Sequence, residues 1–543
     1  MMSDHHKDMS PIVDMTKRQA AGPARSSHPS YVDLLPPCNH ACPAGEDIQG
    51  WLSLAQAGKF HAAWEHLVRD NPLPAIHGRV CYHPCEGGCN RAALDSSVSI
   101  HAVERFLGDK ATAEGWPLPR DAAPNGKRVL VIGGGPSGLS AAYHLVRMGH
   151  AVEIHEAGPL AGGMMHFGIP AYRLPREDLM REIRRIEAMG VKIITNRKVT
   201  DVLAEQAAGQ FDAVFVAIGA GVSKRVDIPA RDAARVLDAV SLLHHVGAGE
   251  TPRLGRRVVV YGGGNTAMDA ARTAKRLGAE ETLIVYRRDR AHMPAHAFEA
   301  DEAIEEGIKI KWLTTIKQVI GPELTVEMME LDANGKPQPT GQFETLSADA
   351  VVLALGQETD SGFLRQVPGL VFAADGAVMV GPDMMTGHAG IFAGGDMVPG
   401  EQSVTIAVGQ GKRAARHIDA WLRGARYQPP AKHRVVGFAD LHLPIYSDAL
   451  PARQPELAQA LREGFAEVVG GLSERQALHE AGRCLSCGNC YECDNCFAAC
   501  PEAAIIKLGP KRGYKVDLAL CTGCAVCFEQ CPCHAIDMVA EHI

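Results

Sequence analysis

The sequence has no cysteine between residues 90 and 483, although it contains 16 cysteines in 543 residues. Five of them lie between Cys38 and Cys89, and the other eleven lie between Cys484 and Cys533. The gap excludes disulfide reduction through a cysteine pair in the middle of the chain, since that chemistry needs two thiols there. In a reducing compartment, cysteines grouped in this way indicate metal or redox sites rather than disulfide bonds.

Other features are scarce or absent. The chain has no run of 18 apolar residues and no apolar segment near its start, so we expect a soluble, cytoplasmic protein with no membrane partner. Its net charge of -8 argues against a nucleic-acid partner, because such proteins usually present a basic face. Aromatic residues make up only 5% of the chain, whereas its 56 glycines suit a protein with several glycine-rich phosphate-binding turns.

The order of predicted strands and helices indicates an α/β protein of three to four domains. Apolar residues recur at helical spacing from Asp47 to Leu67 and from Val98 to Lys110, which puts the first cysteine block on loops among helices. Strand and helix signals alternate from Val129 to about residue 425, and several prolines then mark a linker. Residues 1–30 show no periodicity, so we expect a mobile tail there.

A glycine motif, GGGPSG, begins at Gly133 between an apolar strand and a helical run. In a dinucleotide-binding turn, Gly133 permits the tight turn, Gly135 the approach of a pyrophosphate, and Gly138 the close packing of helix on strand. The next predicted strand ends in Glu156, about 20 residues further on, where a carboxylate can accept hydrogen bonds from ribose hydroxyls. The motif therefore predicts a dinucleotide site, the alternative being a plain glycine-rich turn.

The motif recurs as GGGNTA, which predicts a second dinucleotide site at Gly262, Gly264, Asn265 and Thr266. Here the next predicted strand ends in Arg287 and Arg288 instead of an acidic residue. Two guanidinium groups suit a ribose 2'-phosphate, so NADP(H) is favoured over NAD(H), which stays possible. The alternative is that both arginines form a solvated strand end.

The second cysteine block contains two C-x2-C-x2-C-x3-C-P runs, which begin at Cys490 and Cys521. This spacing is typical of bacterial ferredoxins, in which three close cysteines hold one [4Fe-4S] cluster and the fourth holds the other. Zinc is the weaker alternative, because zinc ribbons usually pair two separated C-x2-C arms. The predicted ligand sets are Cys490, Cys493, Cys496 and Cys531 for one cluster, and Cys521, Cys524, Cys527 and Cys500 for the other.

Several motifs together resemble the small, NADPH-oxidising subunit of glutamate synthase and its relatives, within the flavoproteins that bind two dinucleotides. They include GGMM from Gly162, FGIP from Phe167, the second glycine motif, VYRR from Val285 and MPA from Met293. The resemblance covers residues 36 to about 425 and implies NADP(H) at the second site and FAD at the first. It also implies that a strand ending in Gly-Gly-Asp contacts FAD, so the implied FAD residues are Gly133, Gly135, Gly138, Glu156, Gly163 and Asp396.

The first cysteine block resembles the iron–sulfur domain of the same family, in which two clusters lie. The resemblance places Cys42, Cys81 and Cys85 on one cluster, with Glu104 as a candidate fourth ligand. Cys38 and Cys89 would belong to the other cluster, but the C-x2-C that should precede Cys38 is missing.

A replacement for this missing segment exists at the other end of the chain. The segment EAGRCLSC, which contains Cys484 and Cys487, looks like the missing one. It would complete a fourth cluster and dock the ferredoxin module back onto the N-terminal domain, leaving only Cys533 unassigned. The alternative is a single N-terminal cluster, with Cys484 and Cys487 merely structural.

The predicted fold is α/β, with two Rossmann-like domains between a helical iron–sulfur domain and an α+β ferredoxin-like domain. The expected divisions are a tail at 1–30, the iron–sulfur domain at 31–125, the FAD domain at 126–220 and 357–425, the NAD(P)H domain at 221–356, a linker at 426–482 and the ferredoxin domain at 483–543.

Three classes of function remain open. The first is an autonomous NADPH:ferredoxin oxidoreductase, favoured because the terminal module already supplies a one-electron outlet. The second is an electron-transfer subunit of a larger complex, with a partner of the glutamate synthase or 2-oxoacid:ferredoxin oxidoreductase type. The third is a redox sensor without catalysis, which two intact glycine motifs disfavour. An oligomer is expected, and no catalytic acid or base is needed because the cofactors perform the chemistry.

Overall fold

The computed structural model describes residues 25–223, 230–231, 235–443, 447–510 and 512–541. Most of the predicted tail, residues 1–24, lies outside the described residues. Among these residues, four segments of 3-10 helix are present, at Asn90–Ala93, Gly362–Gln366, Phe438–Asp440 and Gln459–Leu461.

The N-terminal region is a strand followed by short helices around a buried apolar core. Its elements are β1 (Ser27–Tyr31), α1 (Pro37–Ala41), α2 (Ile48–Gln56), α3 (Phe60–Leu67), α4 (Pro74–Val80), α5 (Pro84–Gly87) and α6 (Ile100–Ala113). The helical pattern from Asp47 to Leu67 is two helices, because the chain turns at Gly58 with φ +69°, a conformation that favours glycine. Trp51 of α2 and Trp64 of α3 are both fully buried.

Strands and helices alternate over the central part of the chain. Residues 126–220 form β2 (Arg128–Ile132), α7 (Pro136–Arg147), β3 (Ala151–His155), α8 (Met164–Phe167), α9 (Arg176–Ala188), β4 (Lys192–Ile194), α10 (Val202–Gly209) and β5 (Ala213–Val216). The following residues to 285 form β6 (Val222–Ser223), β7 (Ala230–Arg231), β8 (Arg235–Asp238), α11 (Ala239–Gly247), β9 (Arg257–Tyr261), α12 (Asn265–Arg276) and β10 (Glu281–Val285).

The remaining elements complete both sheets and the C-terminal module. Up to residue 358 they are α13 (Ala297–Glu305), β11 (Lys309–Lys311), β12 (Thr314–Ile320), β13 (Glu323–Leu331), β14 (Pro337–Ser347), β15 (Ala350–Leu353) and β16 (Gln357–Glu358). Beyond it they are β17 (Ile391–Ala393), α14 (Val404–Leu422), α15 (Glu474–Gly482), α16 (Asn495–Ala499), β18 (Ile505–Lys507), β19 (Tyr514–Val516), α17 (Val526–Glu529) and β20 (Ile536–Ala540).

Two parallel five-stranded sheets confirm the predicted α/β class. The first has the order β17-β5-β2-β3-β4, and the second has the order β11-β10-β9-β15-β8. In each sheet the glycine motif follows a central strand, β2 or β9, at the edge where parallel α/β sheets bind ligands. Strands β12, β13 and β14 form an antiparallel extension next to the second sheet.

Helix α14 joins the first sheet unit to the N-terminal region through glycines. A Cβ on Gly411 would lie 2.2 Å from the carbonyl oxygen of Ser137 in α7. A Cβ on Gly409 would lie 2.1 Å from the carbonyl oxygen of Pro43, next to Cys42. Larger residues would separate these three segments, so α14 holds the first cysteine block against the first sheet unit.

The segment predicted as a linker packs along the N-terminal region and ends in α15. Arg79 donates to the Glu467 carboxylate at 2.8 Å, and His101 Nε2 lies 3.0 Å from Gln454 Oε1. At the end of α15, the buried Arg483 donates to the backbone carbonyl of Ser96 at 2.7 Å and to Asp95 at 3.1 Å. Periodicity could not reveal these contacts, because they join residues far apart in sequence.

The C-terminal module is joined to the start of the described chain by a strand pair. Strand β20 pairs antiparallel with β1 in a register from Ser27↔Ala540 to Tyr31↔Ile536. The predicted tail therefore ends before Ser27, since Ser27–Tyr31 form a strand with a distant partner. Arg25 adds an ion pair with Glu541 at 2.5 Å.

Among the described residues, no helix is both long enough and apolar enough to cross a bilayer.

Candidate cofactor and electron-transfer sites

The first glycine turn lies at the carboxyl end of β2 and is closed by backbone contacts. Gly133 has φ +105°, and a Cβ there would lie 2.4 Å from the carbonyl oxygen of Ala217. A Cβ on Gly138 would lie 2.0 Å from the carbonyl oxygen of Gly133, so α7 crosses the strand where only glycine fits. At Gly135 a Cβ would meet no atom within 4 Å, which leaves room for a phosphate at the N-terminus of α7.

Glu156 is fixed at the rim of this turn by two backbone donors. The amide of Gly134 donates to Oε2 at 2.7 Å, and the amide of Gly158 donates to Oε1 at 2.7 Å. Gly163 approaches the same turn, because a Cβ on it would lie 3.0 Å from the Cα of Gly135. The predicted residues of the first site are thus neighbours in space.

A cavity of about 570 Å³ extends from this turn to the second glycine motif. Of the predicted cofactor residues, seven line it: Gly133, Gly135, Glu156, Gly163, Asp396, Asn265 and Thr266. The N-terminus of α14 closes one side through Ser403 and Val404. One cavity can therefore bring two dinucleotides together.

Two buried polar groups in the cavity, Asp396 and Ser137, would be stabilised by hydrogen bonds with FAD. Burial raises the pKa of the Asp396 carboxyl to about 6, so a hydroxyl donor would stabilise its charged form. The hydroxyl of Ser137 is buried without a hydrogen-bond partner among the described residues. An elongated cofactor with ribose, ribitol and phosphate groups supplies such partners.

The second glycine turn repeats the first and is tied to the N-terminal region. A Cβ on Gly262 would lie 2.2 Å from the carbonyl oxygen of Ala354, whereas a Cβ on Gly264 would meet no atom within 4 Å. Asn265 Nδ2 donates to the Tyr82 hydroxyl at 2.7 Å, and Asn265 Oδ1 accepts from the amide of His296 at 3.0 Å. The Tyr82 and His296 rings stack with centroids 3.7 Å apart.

Arg287 and Arg288 follow β10, as predicted, but neither is among the residues that line the cavity. Arg287 is exposed, and Arg288 Nε donates to the Tyr286 hydroxyl at 3.0 Å. Both arginines therefore lie near the end of β10 and outside the space shared by the two motifs.

All 16 cysteines lie in the described part of the chain, and each is a free thiol. We name the predicted ligand groups as four sets. The flavin-side set is Cys42, Cys81, Cys85 and Glu104, and the bridging set is Cys38, Cys89, Cys484 and Cys487. Ferredoxin set one is Cys490, Cys493, Cys496 and Cys531, and ferredoxin set two is Cys500, Cys521, Cys524 and Cys527.

The flavin-side set is gathered in a buried region. Burial raises the pKa of Cys85, and the neighbouring Glu86, Cys42, Cys81 and Glu104 raise it further. Burial and Glu104 likewise raise the pKa of Cys81 to about 12, partly offset by a hydrogen bond with Thr405. Anionic ligands that repel one another in a buried region suit a cationic iron centre.

Glu104 has buried neighbours that sequence patterns did not single out. Asn71 Nδ2 lies 2.7 Å from Glu104 Oε1, 3.0 Å from Glu46 Oε1 and 2.9 Å from His77 Nδ1. Burial and the neighbouring Glu46 raise the pKa of Glu104. No spacing signal exists for these residues, because they come from three different segments.

The bridging set lies at the meeting point of the two cysteine blocks. Burial raises the pKa of Cys38 well above its usual range, and the Cys484, Cys89 and Cys487 thiols raise it further. All four thiols line one small cavity, and Asn90 Nδ2 donates to the Cys487 sulfur at 3.5 Å.

The ferredoxin sets are also grouped as predicted. Burial raises the pKa of Cys490 to about 11, to which Cys496, Cys531 and Cys493 contribute. The four thiols of set two line a second small cavity together with Glu502. Each set is a cluster of thiols without a disulfide, which fits a [4Fe-4S] group.

Tyr82 and Val80 are further cavity residues that the sequence did not identify. Both line the large cavity, while Cys81 between them belongs to the flavin-side set. Cys81 has extended backbone at the end of α4 (φ -67°, ψ 140°), which accounts for the alternation of side chains. In the sequence, only their position next to Cys81 indicated a role for Val80 and Tyr82.

Comparison with known proteins agrees with this arrangement. A family model described as pyridine nucleotide-disulphide oxidoreductase matches residues 127–411, and one described as dihydropyrimidine dehydrogenase domain II, 4Fe-4S cluster, matches residues 33–116.

Three curated relatives cover most of the chain. The NADP(+)-dependent formate dehydrogenase subunit beta of Moorella thermoacetica is 36% identical over 83% of this chain and 70% of its own. The NADPH-Fe(3+) oxidoreductase subunit beta of Geobacter sulfurreducens is 34% identical over 83% and 75%. The glutamate synthase [NADPH] small chain of Escherichia coli is 34% identical over 71% and 89%.

These matches confirm the predicted resemblance, the FAD, NADP(H) and 4Fe-4S cofactors, and the oxidoreductase class. The chain belongs to the pyridine nucleotide-disulphide oxidoreductase family and, with its cysteine-rich ends, is an NADPH-dependent flavin and iron–sulfur oxidoreductase.

Proposed function

We propose that the chain is an NADPH:ferredoxin-type oxidoreductase in which four ligand sets hold [4Fe-4S] clusters between the flavin cavity and a terminal ferredoxin module. The main support for this proposal is that residues 80–82 alternate between the large cavity and the flavin-side set. Val80 and Tyr82 line the cavity, and Cys81 belongs to the flavin-side set. A single stretch of backbone thus separates the nucleotide cavity from the first ligand set.

The cavity residues assign the two nucleotide sites. Gly133, Gly135, Glu156 and Asp396 would hold FAD, with Ser137 as a further partner. Gly264, Asn265 and Thr266 would hold the NADPH pyrophosphate at the N-terminus of α12, and Arg288 its 2'-phosphate. When bound, FAD exchanges a hydride with NADPH and exchanges electrons singly with the clusters.

Short stretches of chain connect the flavin-side set, the bridging set and ferredoxin set one. Helix α1 carries Cys38 of the bridging set and ends at Cys42 of the flavin-side set, whose amide donates to the Cys38 carbonyl at 3.1 Å. Cys487 of the bridging set is followed three residues later by Cys490 of ferredoxin set one. This order supports conduction from the cavity to the C-terminal module.

A second candidate is a dedicated subunit of a larger complex. Two of the three relatives carry the word subunit in their names, and the third is called a small chain. In that case the ferredoxin module would meet a partner enzyme instead of a free ferredoxin. We also propose that the protein assembles as an oligomer.

The test is anaerobic turnover of the isolated full chain with NADPH or NADH, using a low-potential dye and ferredoxin as alternative acceptors. Ferredoxin reduction with NADPH would support the autonomous enzyme. Dye reduction without ferredoxin turnover would support the dedicated subunit, and co-purification would then search for its partner. Failure to oxidise either nicotinamide in a chain that retains FAD would overturn both.

A further inference from the structure

Cys533 is the one cysteine outside the four ligand sets, yet it lies beside ferredoxin set one. Its side chain is buried, with 2% of the residue exposed, and its sulfur lies 3.8 Å from the sulfur of Cys531. Cys533 also packs in the same buried cluster as Cys496 and Cys531. Cys533 is therefore a fifth thiol in a group of five.

The sequence repeat provides an internal comparison. Cys531-Pro532-Cys533 in one cysteine run corresponds to Cys500-Pro501-Glu502 in the other. Glu502 lines the small cavity of ferredoxin set two, so this position lies beside a ligand group in the first run as well. A thiol thus stands in one run where the other has a carboxylate.

We propose that Cys533 is a reserve ligand, able to replace Cys531 on the same iron of the cluster held by ferredoxin set one. This inference rests on the ligand sets of the proposed function. In the exchange, the Cys533 sulfur forms a bond to iron and gives its proton to the Cys531 sulfur, whose bond to the same iron breaks. The iron and sulfide content and the charge of the cluster stay the same, and no electron is transferred.

The geometry permits this exchange without movement of the main chain. The Cys533 carbonyl oxygen is held by the amide of Gly488 at 2.6 Å. A change between staggered χ1 rotamers moves a cysteine sulfur by about 3 Å, comparable to the separation of the two thiols. The displacement produced by a side-chain rotation therefore covers most of the distance between the two sulfurs.

The experiment compares three variants of the full chain, purified anaerobically with FAD bound: Cys531→Ser, Cys531→Ser/Cys533→Ser and the matched control Cys500→Ser. Iron per FAD and the EPR spectrum of the reduced protein are the readouts. We expect Cys531→Ser to keep its iron content with an altered EPR signal. The double variant and Cys500→Ser should each lose about four iron atoms, one cubane cluster.

Equal iron loss in Cys531→Ser and Cys500→Ser would overturn the reserve role. If Cys531→Ser does not fold, the variant Cys500→Ser/Glu502→Cys tests the proposal instead. A thiol at position 502 should restore the iron that Cys500→Ser loses. No recovery of iron would contradict the proposal. Cys490→Ser tests the underlying assignment separately. Unchanged iron and EPR in that variant would show that ferredoxin set one holds no cluster, which is a failure of the proposed function.

Discussion

Asp396 links the charge of a single residue to cofactor binding. Burial raises its pKa to about 6 in the unliganded cavity. A donor hydroxyl from FAD favours the charged carboxylate, so FAD binds most tightly above this pKa and less tightly as the pH falls through it. We expect about tenfold weaker FAD binding at pH 5 than at pH 7, measured by titration of the apoprotein.

The matched variant for this residue is Asp396→Asn, which keeps the shape and removes the titrating group. Its FAD affinity should be lower at pH 7 and nearly constant between pH 5 and pH 7. A pH dependence equal to that of the original protein would assign the effect to another group.

We predict that the choice of nicotinamide cofactor depends on Arg288, one of the two arginines that follow β10. Its guanidinium group is oriented by the hydrogen bond from Nε to the Tyr286 hydroxyl. A charge-assisted contact with a 2'-phosphate contributes about 1.5 to 3 kcal/mol, so Arg288→Ala should lower kcat/KM for NADPH by about 10- to 100-fold and leave NADH nearly unaffected. The control is Arg290→Ala, since Arg290 pairs with Asp301 at 2.5 Å. Equal losses of kcat/KM for NADPH and NADH in Arg288→Ala would contradict the role of Arg288 in binding the 2'-phosphate.

At the scale of single residues, sequence spacing identified the residues that share a motif, but it did not identify their contacts in the folded structure. The two cysteine runs and the glycine motifs could be read because each lies within a short segment. The contacts of Asn71 and Tyr82 could not be predicted in this way. Asn71 contacts Glu104, which is 33 residues away in sequence, and Tyr82 contacts Asn265, which is 183 residues away. Such contacts depend on the packing of separate helices.

Helix α15 is the element that brings the second cysteine block to the first. Arg483 at its end is buried and donates to Asp95, the Ser96 carbonyl and the Glu480 carboxylate. Removing one partner of a buried ion pair costs about 3 to 5 kcal/mol. Arg483→Ala should therefore lower the thermal midpoint and remove about four iron atoms, those of the bridging set.

Arg475 provides the control on the same helix, because it is exposed. Arg475→Ala should change the free energy of unfolding by less than about 0.5 kcal/mol and keep the full iron content. Iron analysis and thermal unfolding of both variants test the prediction. Full iron content in Arg483→Ala would show that α15 does not hold the bridging set.

At the element scale, the central strands and helices were predictable because apolar periodicity and glycine turns coincide there. Strand β1 could not be predicted from periodicity, because its backbone pairs with β20, more than 500 residues further along the chain. The linker likewise has few apolar residues in periodic positions, and it is ordered by contacts such as that of Arg79 with Glu467.

At the scale of the whole molecule, the two ends of the chain form one unit. Strands β1 and β20 pair, and the bridging set draws two cysteines from each cysteine block. Counting cysteines suggested this arrangement but left the alternative of a single N-terminal cluster open. The structure brings Cys484 and Cys487 next to Cys38 and Cys89, and this proximity depends on tertiary packing.

We propose that electrons from NADPH reach ferredoxin through the bridging set. The most direct test is NADPH turnover by Cys484→Ser and by the original chain, with ferredoxin as acceptor and dye reduction at the flavin as the internal control. We predict that Cys484→Ser keeps FAD and dye reduction, loses about four iron atoms and loses at least 90% of its ferredoxin reduction, on the order of a tenfold effect. Ferredoxin reduction at the original rate in a variant that has lost that iron would contradict it.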